Sequence, residues 1–365
     1  MSHFYNRLFM EVFSNIANQY EDNYNEQRFG KIKLSWKTKV KKLIRRRLGL
    51  IDYLDYSHHS SFQKLMPYFD GLDELYETLA DSPSKTLLVQ LAAYRILGYR
   101  KYKLPLSTPA YWKGVQEIEA FKNSKDSLKV KFSGKMTPIY KYDLNALDIP
   151  LKMYYMAPAI YNHLYIKQYH YVTNEIRIKP EPGDIVLDCG ACWGDTALFF
   201  ALEVGDTGHI YSFDFIPDNM EVFNINIKLN PRLKNRITLV PHPLDETSGK
   251  EVSFMDNGPG SRISQKTESS SGVWTLCIDD FFEQYHPEKI DFIKMDIEGM
   301  ELPALKGAHA VLQHFRPKLA ISIYHSMDDF TGISKYLDSL DLGYKFYLKH
   351  GTTHQEETVL LAICE

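Results

Sequence analysis

The chain has 365 residues, 44% hydrophobic and 13% aromatic, the make-up of a folded protein with room for two domains. Its formal net charge of −3 argues against a dedicated nucleic-acid binder, which needs a broad excess of Lys and Arg to neutralise phosphates. Four cysteines are too few to staple so long a chain, so a reducing compartment is expected.

From Ser2 to about Tyr171 the apolar residues recur at three- and four-residue spacing, which predicts a mainly helical N-terminal domain over residues 1–172. No signal-peptide core can be drawn in its opening residues, and no run of about 20 apolar residues could span a bilayer. A cytoplasmic protein is expected, at most peripheral at the inner membrane surface. Residues 31–47 carry nine basic residues and no acid, with Ile, Leu, Trp and Val between them. Such a segment suits an anionic membrane surface or a phosphate-bearing acceptor, or it is a solvated helix face. Asp81-Ser82-Pro83-Ser84 starts a helix that runs to about Leu97, and Pro105 to Pro109 break the pattern. MYYMAPAIYNHLYIKQYHYV, from Met153, holds six tyrosines. Most suit a core between domains; Gln168 and Tyr169 are candidates to close over a cofactor.

After Pro180 short β-branched runs alternate with amphipathic stretches, the pattern of an α/β parallel sheet filling residues 173–365. Strands are predicted at Asp184–Cys189, His209–Asp214, Arg236–Val240, Ile290–Asp296, Lys318–Tyr324, Tyr344–Lys349 and Thr358–Cys364. Helices are predicted at Asp195–Val204, Asp218–Leu229, Leu302–Gln313 and Asp328–Leu340. Between the third and fourth strands lies a polar insertion, read as two short strands around a Gly- and Ser-rich loop that is either a lid or a solvated hairpin.

The strongest local signal is IVLDCGACWGDTALFF, a buried strand, then Asp188-x-Gly190-x-x-x-Gly194, then a helix. Glycines allow a sharp turn and bring backbone N–H groups against a ligand. A dinucleotide site would carry G-x-G-x-x-G. This spacing, with an acid before the first glycine, suits S-adenosylmethionine better than NAD. Asp188 could bind the cofactor's ammonium group or order the loop. Asp214, at the end of the next strand, could accept ribose hydroxyls, while Leu244 and Asp245 stand where adenine would be held. Cys189-x-x-Cys192 invites a redox or metal reading, but Asp188 beside it opposes a thiolate. The fourth strand delivers Asp296 and Glu298 to the carboxyl edge, where two acids could act as a base or share a divalent cation. No metal is predicted. Glu298 and Glu301 could instead cap the next helix. His325, ending the fifth strand, could take a proton from a hydroxyl.

These residues resemble the FkbM family of methyltransferases. The likeness runs through QYHYV, GDIVLDCGACWGDTAL, YSFDFIPDN, FIKMDIEGMELPALKGA, ISIYH, GYKFYLKH and ETVLLAIC, about the last 200 residues. The resemblance implies a Rossmann-like class I methyltransferase sheet of seven strands with the last antiparallel, and S-adenosylmethionine-dependent O-methylation of a sugar, glycan precursor or other hydroxyl. It assigns Asp188, Gly190 and Gly194 to the cofactor loop, Asp214 to the ribose, and Asp296, Glu298 and His325 to the reaction edge. Three departures stand out: Asp214 where a glutamate is usual, the two cysteines of the loop, and TLCIDDFF, where Asp279 and Asp280 diverge from the usual run. The N-terminal half would then recognise the acceptor and could contact a membrane or a second copy. The rivals are an NAD-dependent oxidoreductase on the same sheet and a membrane- or glycan-binding scaffold with a relic cofactor site.

Overall fold

The computed structural model describes residues 2–20, 36–47, 56–264 and 272–364. Residues 31–35 of the basic segment and part of the polar insertion lie outside these. Helices lead the chain: α1 (His3–Asn15), α2 (Trp36–Arg47), α3 (Tyr56–Leu65), α4 (Phe69–Thr78), α5 (Ser82–Leu97) and α6 (Pro109–Glu119). As the sequence predicts, Asp81 starts α5, its Oδ1 accepting from the Ser84 N–H at 2.9 Å, and Gly98 ends it at φ 71°. None of the described helices is long and apolar enough to cross a membrane.

The helical reading fails between residues 122 and 155. There β1 (Lys122–Phe132), β2 (Lys135–Asp143) and β3 (Lys152–Tyr155) form an antiparallel meander. Ser133 and Gly134 turn between Phe132 and Lys135, both at positive φ, 50° and 72°, the two-residue turn that matches strand twist. Few positions are buried, Val130 in β1 and Ile139 and Tyr142 in β2, while many of the exposed ones are lysines. So sparse a pattern is a weak signal beside the helical runs flanking it.

A short helix, α7 (Ala157–Tyr161), and the strand pair β4 (Tyr171–Val172) and β5 (Arg177–Ile178) lead into the main sheet. Its elements follow in order: β6 (Ile185–Cys189), α8 (Asp195–Glu203), β7 (His209–Phe213), α9 (Pro217–Leu229), β8 (Ile237–Val240), the insertion strands β9 (Glu251–Met255), β10 (Arg262–Ser264) and β11 (Val273–Trp274), α10 (Ile278–Tyr285), β12 (Phe292–Met295), α11 (Glu301–Lys306), α12 (His309–Phe315), β13 (Lys318–Ser322), α13 (Met327–Ser339), β14 (Tyr344–His350) and β15 (Thr358–Cys364). The seven strands stand in the order β14-β15-β13-β12-β6-β7-β8, and β15 runs antiparallel to both neighbours. This is the Rossmann-like sheet that the sequence implies. The predicted helix Leu302–Gln313 is two helices, because it breaks at Gly307, where a Cβ would stand 2.5 Å from the Asp245 carbonyl oxygen.

Both halves of the chain share the cores on the two faces of the sheet. On one face Phe4, Leu72, Leu88 and Leu97 pack with Leu187, Ile293, Ile321 and Phe346. On the other Val130, Ile139, Tyr155 and Ile160 pack with Val186, Trp193, Phe200 and Phe292. The carboxyl ends of β6, β7 and β12 meet where the order reverses between β6 and β12, the crevice in which such sheets bind ligands.

Candidate active site

The loop after β6 is fixed by contacts that only glycine permits. Gly190 sits at φ 85°, and a Cβ there would lie 1.9 Å from the Asp296 carbonyl oxygen, so the β6 and β12 loops pass almost in contact. Gly194, at φ 84°, forms the N-cap of α8 against the Phe223 ring. Asp188 is fully buried. Its carboxylate accepts from Thr196 Oγ1 at 2.8 and 3.0 Å and pairs with Lys294 Nζ at 3.2 Å. Lys294 stands opposite Asp188 in the β12–β6 register. Its ammonium also donates to the carbonyls of Cys189 at 3.2 Å and Gly190 at 2.8 Å, and lies over the Tyr169 ring. Burial alone would depress the Lys294 pKa, but Asp188, Asp296 and Asp195 outweigh it and keep the group charged. A buried cation thus ties the strand to its loop.

The opening beyond this loop is a cleft of about 560 Å³, counting the part open to solvent. Gly190 and Cys192 form its floor, and Asp214 and Asn219 one side. Asp214 is nearly buried; it accepts from the Ile216 N–H at 2.8 Å and from Asn219 Nδ2 at 3.3 Å. Burial pushes its carboxyl up to about 7 against those hydrogen bonds. The carboxylate is thus held by backbone and amide donors at the side of the cleft. Leu244 adds an apolar wall.

The opposite wall is the polar insertion. Gly258, Pro259, Ser261, Arg262 and Ile263 all line the cleft, so the described part of the insertion is a wall of the site and not a solvated hairpin. The β1–β2 hairpin buttresses it. Gly134 N–H donates to Asn257 Oδ1 at 2.8 Å, Lys131 pairs with Asp256 at 2.7 Å, and Gly258 lies so near the Lys131 carbonyl that a Cβ would be 2.1 Å away.

Asp296, Glu298 and Met300 close the cleft at the end of β12. Asp296 accepts from Tyr169 Oη at 2.8 Å and Tyr324 Oη at 3.0 Å, and stands 3.3 Å from His325 Nε2. Burial would raise its pKa, but His325, Lys294 and Tyr169 hold it well below the carboxylate range. His325 is clamped from its other side by Glu301 Oε1, 3.0 Å from Nδ1. Burial would lower the imidazole, yet the Asp296 and Glu301 carboxylates on its two sides push it up, in favour of the protonated form. Glu301 also accepts the N–H groups of Ile297 at 2.7 Å and Gly299 at 3.0 Å. Asp296, Glu301 and His325 offer atoms within 4.8 Å of one another, a spacing a cation could bridge. Glu301 holds the Ile297 and Gly299 N–H groups with one lone pair of each oxygen and pairs with His325, so the trio as it stands is an ion-paired clamp.

Glu298 differs from all of these. Its backbone holds φ 56°, rare for a side-chain-bearing residue and a strain that clusters at functional sites. Its side chain is 30% exposed and 3.8 Å from His325 Nε2. Burial first, then Asp296 and Glu301, push its carboxyl up to about 7 against the pull of His325. It is the one titratable group of the β12 loop that faces the cleft and is poised to exchange a proton near neutrality.

Residues 188–346 match the methyltransferase FkbM domain. The chain carries an FkbM methyltransferase domain. A methyltransferase FkbM from Methylobacillus flagellatus KT superposes with a TM-score of 0.53 at 18% identity, covering 90% of this chain and 71% of that one, and so shares its fold. The fibrillarin of Aeropyrum pernix, solved with natively bound S-adenosyl-L-methionine, gives a TM-score of 0.36 at 13% identity over 65% of this chain and 99% of its own. An rRNA methylase from Streptococcus thermophilus gives 0.33 at 14% identity over 51% and 88%. No curated protein matches the sequence.

Within the FkbM domain, the cleft gathers Gly190, Asp214, Asp296 and Glu298 of the residues singled out from sequence. Asp188 and Gly194 lie behind the loop they shape. Asp245 is turned away, accepting from Lys250 Nζ at 3.0 Å and the Glu246 N–H at 2.7 Å, while its neighbour Leu244 meets the cleft. Tyr169 and Gln168 lie beneath the reaction edge instead of closing over it: Tyr169 props Asp296, and Gln168 Nε2 donates to Glu357. Of the other tyrosines, Tyr154 and Tyr155 are buried, and Tyr165 is exposed and stacked on Tyr161. Cys189 and Cys192 are free, and burial pushes both thiols well above their ordinary range, which leaves no thiolate for redox or metal chemistry. Sequence reasoning missed Lys294 and Tyr324; Glu301, read there only as a helix cap, does accept backbone N–H groups and also pairs with His325. Lys294 had a signal, a lone charge inside an otherwise apolar strand with a buried partner in register.

Proposed function

We propose that the chain is an S-adenosylmethionine-dependent O-methyltransferase in which Glu298 takes the proton from the acceptor hydroxyl. Bound S-adenosylmethionine supplies an electrophilic methyl group on a sulfonium and departs as S-adenosylhomocysteine. Two features of the cleft fit it: the Gly190 turn at φ 85° that lines it, and the Asp214 carboxylate after β7 that lines the same cleft. Leu244 offers the adenine an apolar face. Asp296, held as a carboxylate by two tyrosines and His325, presents negative charge to the sulfonium end of the cleft.

In the transfer the acceptor oxygen attacks the methyl carbon as the carbon–sulfur bond breaks, and the hydroxyl proton passes to a Glu298 carboxylate oxygen. His325, with one ring nitrogen turned to Asp296 and the other to Glu301, positions those two carboxylates. The observation that carries this reading is the contrast at the reaction edge: Asp296 and His325 are paired with one another, while Glu298, at φ 56° and 30% exposed, faces the cleft with its carboxyl pushed up to about 7. The family resemblance supports a hydroxyl of a glycan or glycan precursor as acceptor, and the β1–β2 hairpin behind the cleft wall supports a part for the N-terminal half in selecting it. Isothermal titration with S-adenosylmethionine and with NAD tests the cofactor. Binding of the first alone is expected; binding of NAD in its place would overturn the reading.

A further inference from the structure

Outside the cleft, α2 is the most unusual surface of the molecule. Its twelve residues, WKTKVKKLIRRR, include Lys37, Lys39, Lys41, Lys42, Arg45, Arg46 and Arg47 and no acid, in a chain whose net charge is −3. Four apolar side chains of the same helix stand in solvent: Trp36 is 71% exposed, Leu43 59%, Ile44 52% and Val40 44%. The spacing 36, 40, 43, 44 puts all four within about 100° of arc at 3.6 residues per turn. Exposed Lys37 and Lys41 flank that stripe. A helix kept for contact with solvent would not expose tryptophan beside leucine and isoleucine along one line.

We infer that α2 docks the chain onto an anionic lipid bilayer, lying in the plane of the interface with Trp36, Val40, Leu43 and Ile44 among the upper acyl chains and the basic residues at the phosphates. The two halves of the argument are independent. Charge alone would equally fit a nucleic acid, but phosphate recognition there uses no aliphatic stripe. An apolar stripe alone would fit a groove on another protein, but seven cations without an acid call for a surface of dense negative charge. A bilayer bearing anionic headgroups meets both. The inference does not depend on the methyl-transfer reading.

The test is sedimentation of the full chain with sucrose-loaded vesicles, either phosphatidylcholine alone or phosphatidylcholine mixed with phosphatidylglycerol, at low and high salt. The chain should sediment with the mixed vesicles at low salt and with neither at high salt. Lys37→Gln with Lys41→Gln should lower the partition coefficient about thirtyfold, at about fivefold per cation. Leu43→Ser with Ile44→Ser should lower it about tenfold or more, with far-UV circular dichroism and thermal midpoint unchanged. Equal binding to uncharged vesicles, or a full chain that stays in the supernatant, would overturn the inference. So would a Leu43/Ile44 variant that sediments like the parent, or that binds vesicles normally but loses thermal stability, since its stripe would then be packed against the chain itself. Binding to an RNA duplex untouched by the Leu43/Ile44 change would reassign the helix to nucleic acid.

Discussion

Replacing Glu298 by Gln keeps the size of the side chain and its place in the cleft while removing its ability to accept a proton. Because its carboxyl stands at about 7, about a tenth of the enzyme holds the base form at pH 6 and about nine tenths at pH 8. With S-adenosylmethionine saturating at every pH, so that protonation of Asp214 does not enter, the parent should therefore gain about tenfold in kcat/KM for the acceptor across that interval and level off above it. A positioned general base contributes roughly 10²–10⁴ in rate, or about 2.7–5.5 kcal/mol of barrier, so the variant should lose that factor and its pH dependence together. Transfer of radiolabelled methyl from S-adenosylmethionine to glycans extracted from the native cells measures both. Titration calorimetry with S-adenosylhomocysteine should give the same affinity for parent and variant. The reasoning is refuted if Glu298→Gln keeps most of the activity, or if its profile still rises through the neutral range, which would place the base elsewhere.

Asp214→Ala should weaken S-adenosylmethionine binding by about 1.5–3 kcal/mol, roughly ten- to a hundredfold in Kd, through loss of a charged acceptor; Asp296→Ala should weaken it less, and calorimetry compares the two. Affinity of the parent should also fall below pH 7, as the Asp214 carboxyl takes up its proton. Lys294→Met leaves Asp188 buried without its cation and should cost about 3–5 kcal/mol, read as a lower urea midpoint with an unchanged slope. His325→Gln should destabilise the fold in a pH-dependent way. The depressed Asp296 contributes stability above its ordinary pKa, lost as pH falls toward its folded value. The raised His325 contributes below about 6.5, lost as pH rises toward about 11. The gap between parent and variant in urea unfolding should thus be widest between about pH 4 and 6.5 and narrow on either side.

The sheet was legible because parallel strands buried on both faces read as unbroken apolar runs, and each predicted strand from Asp184 to Cys364 lies within two or three residues of an observed one. The glycine turn was legible for a similar reason: Gly190 and Gly194 both hold positive φ, which few other residues tolerate. What stayed hidden depends on pairs distant in the chain. That Asp188 is buried and paired with a cation beneath the loop follows from Lys294, more than a hundred residues later. That His325 sits between two carboxylates while Glu298 faces the cleft follows from Asp296 and Glu301 reaching the imidazole from another part of the chain. The β1–β2 hairpin was hidden by its lysines, which stand among the few residues that are buried, and with it the support for the cleft wall.

The central claim is that one cleft brings the Gly190 turn, Asp214 and Glu298 around a single S-adenosyl group. A crystal structure with S-adenosylhomocysteine bound tests it most directly. The account predicts ribose hydroxyls on Asp214, adenine against Leu244 and the sulfur directed at the Asp296–Glu298 end. A ligand seated elsewhere on the sheet, or one whose sulfur points away from Glu298, would contradict it.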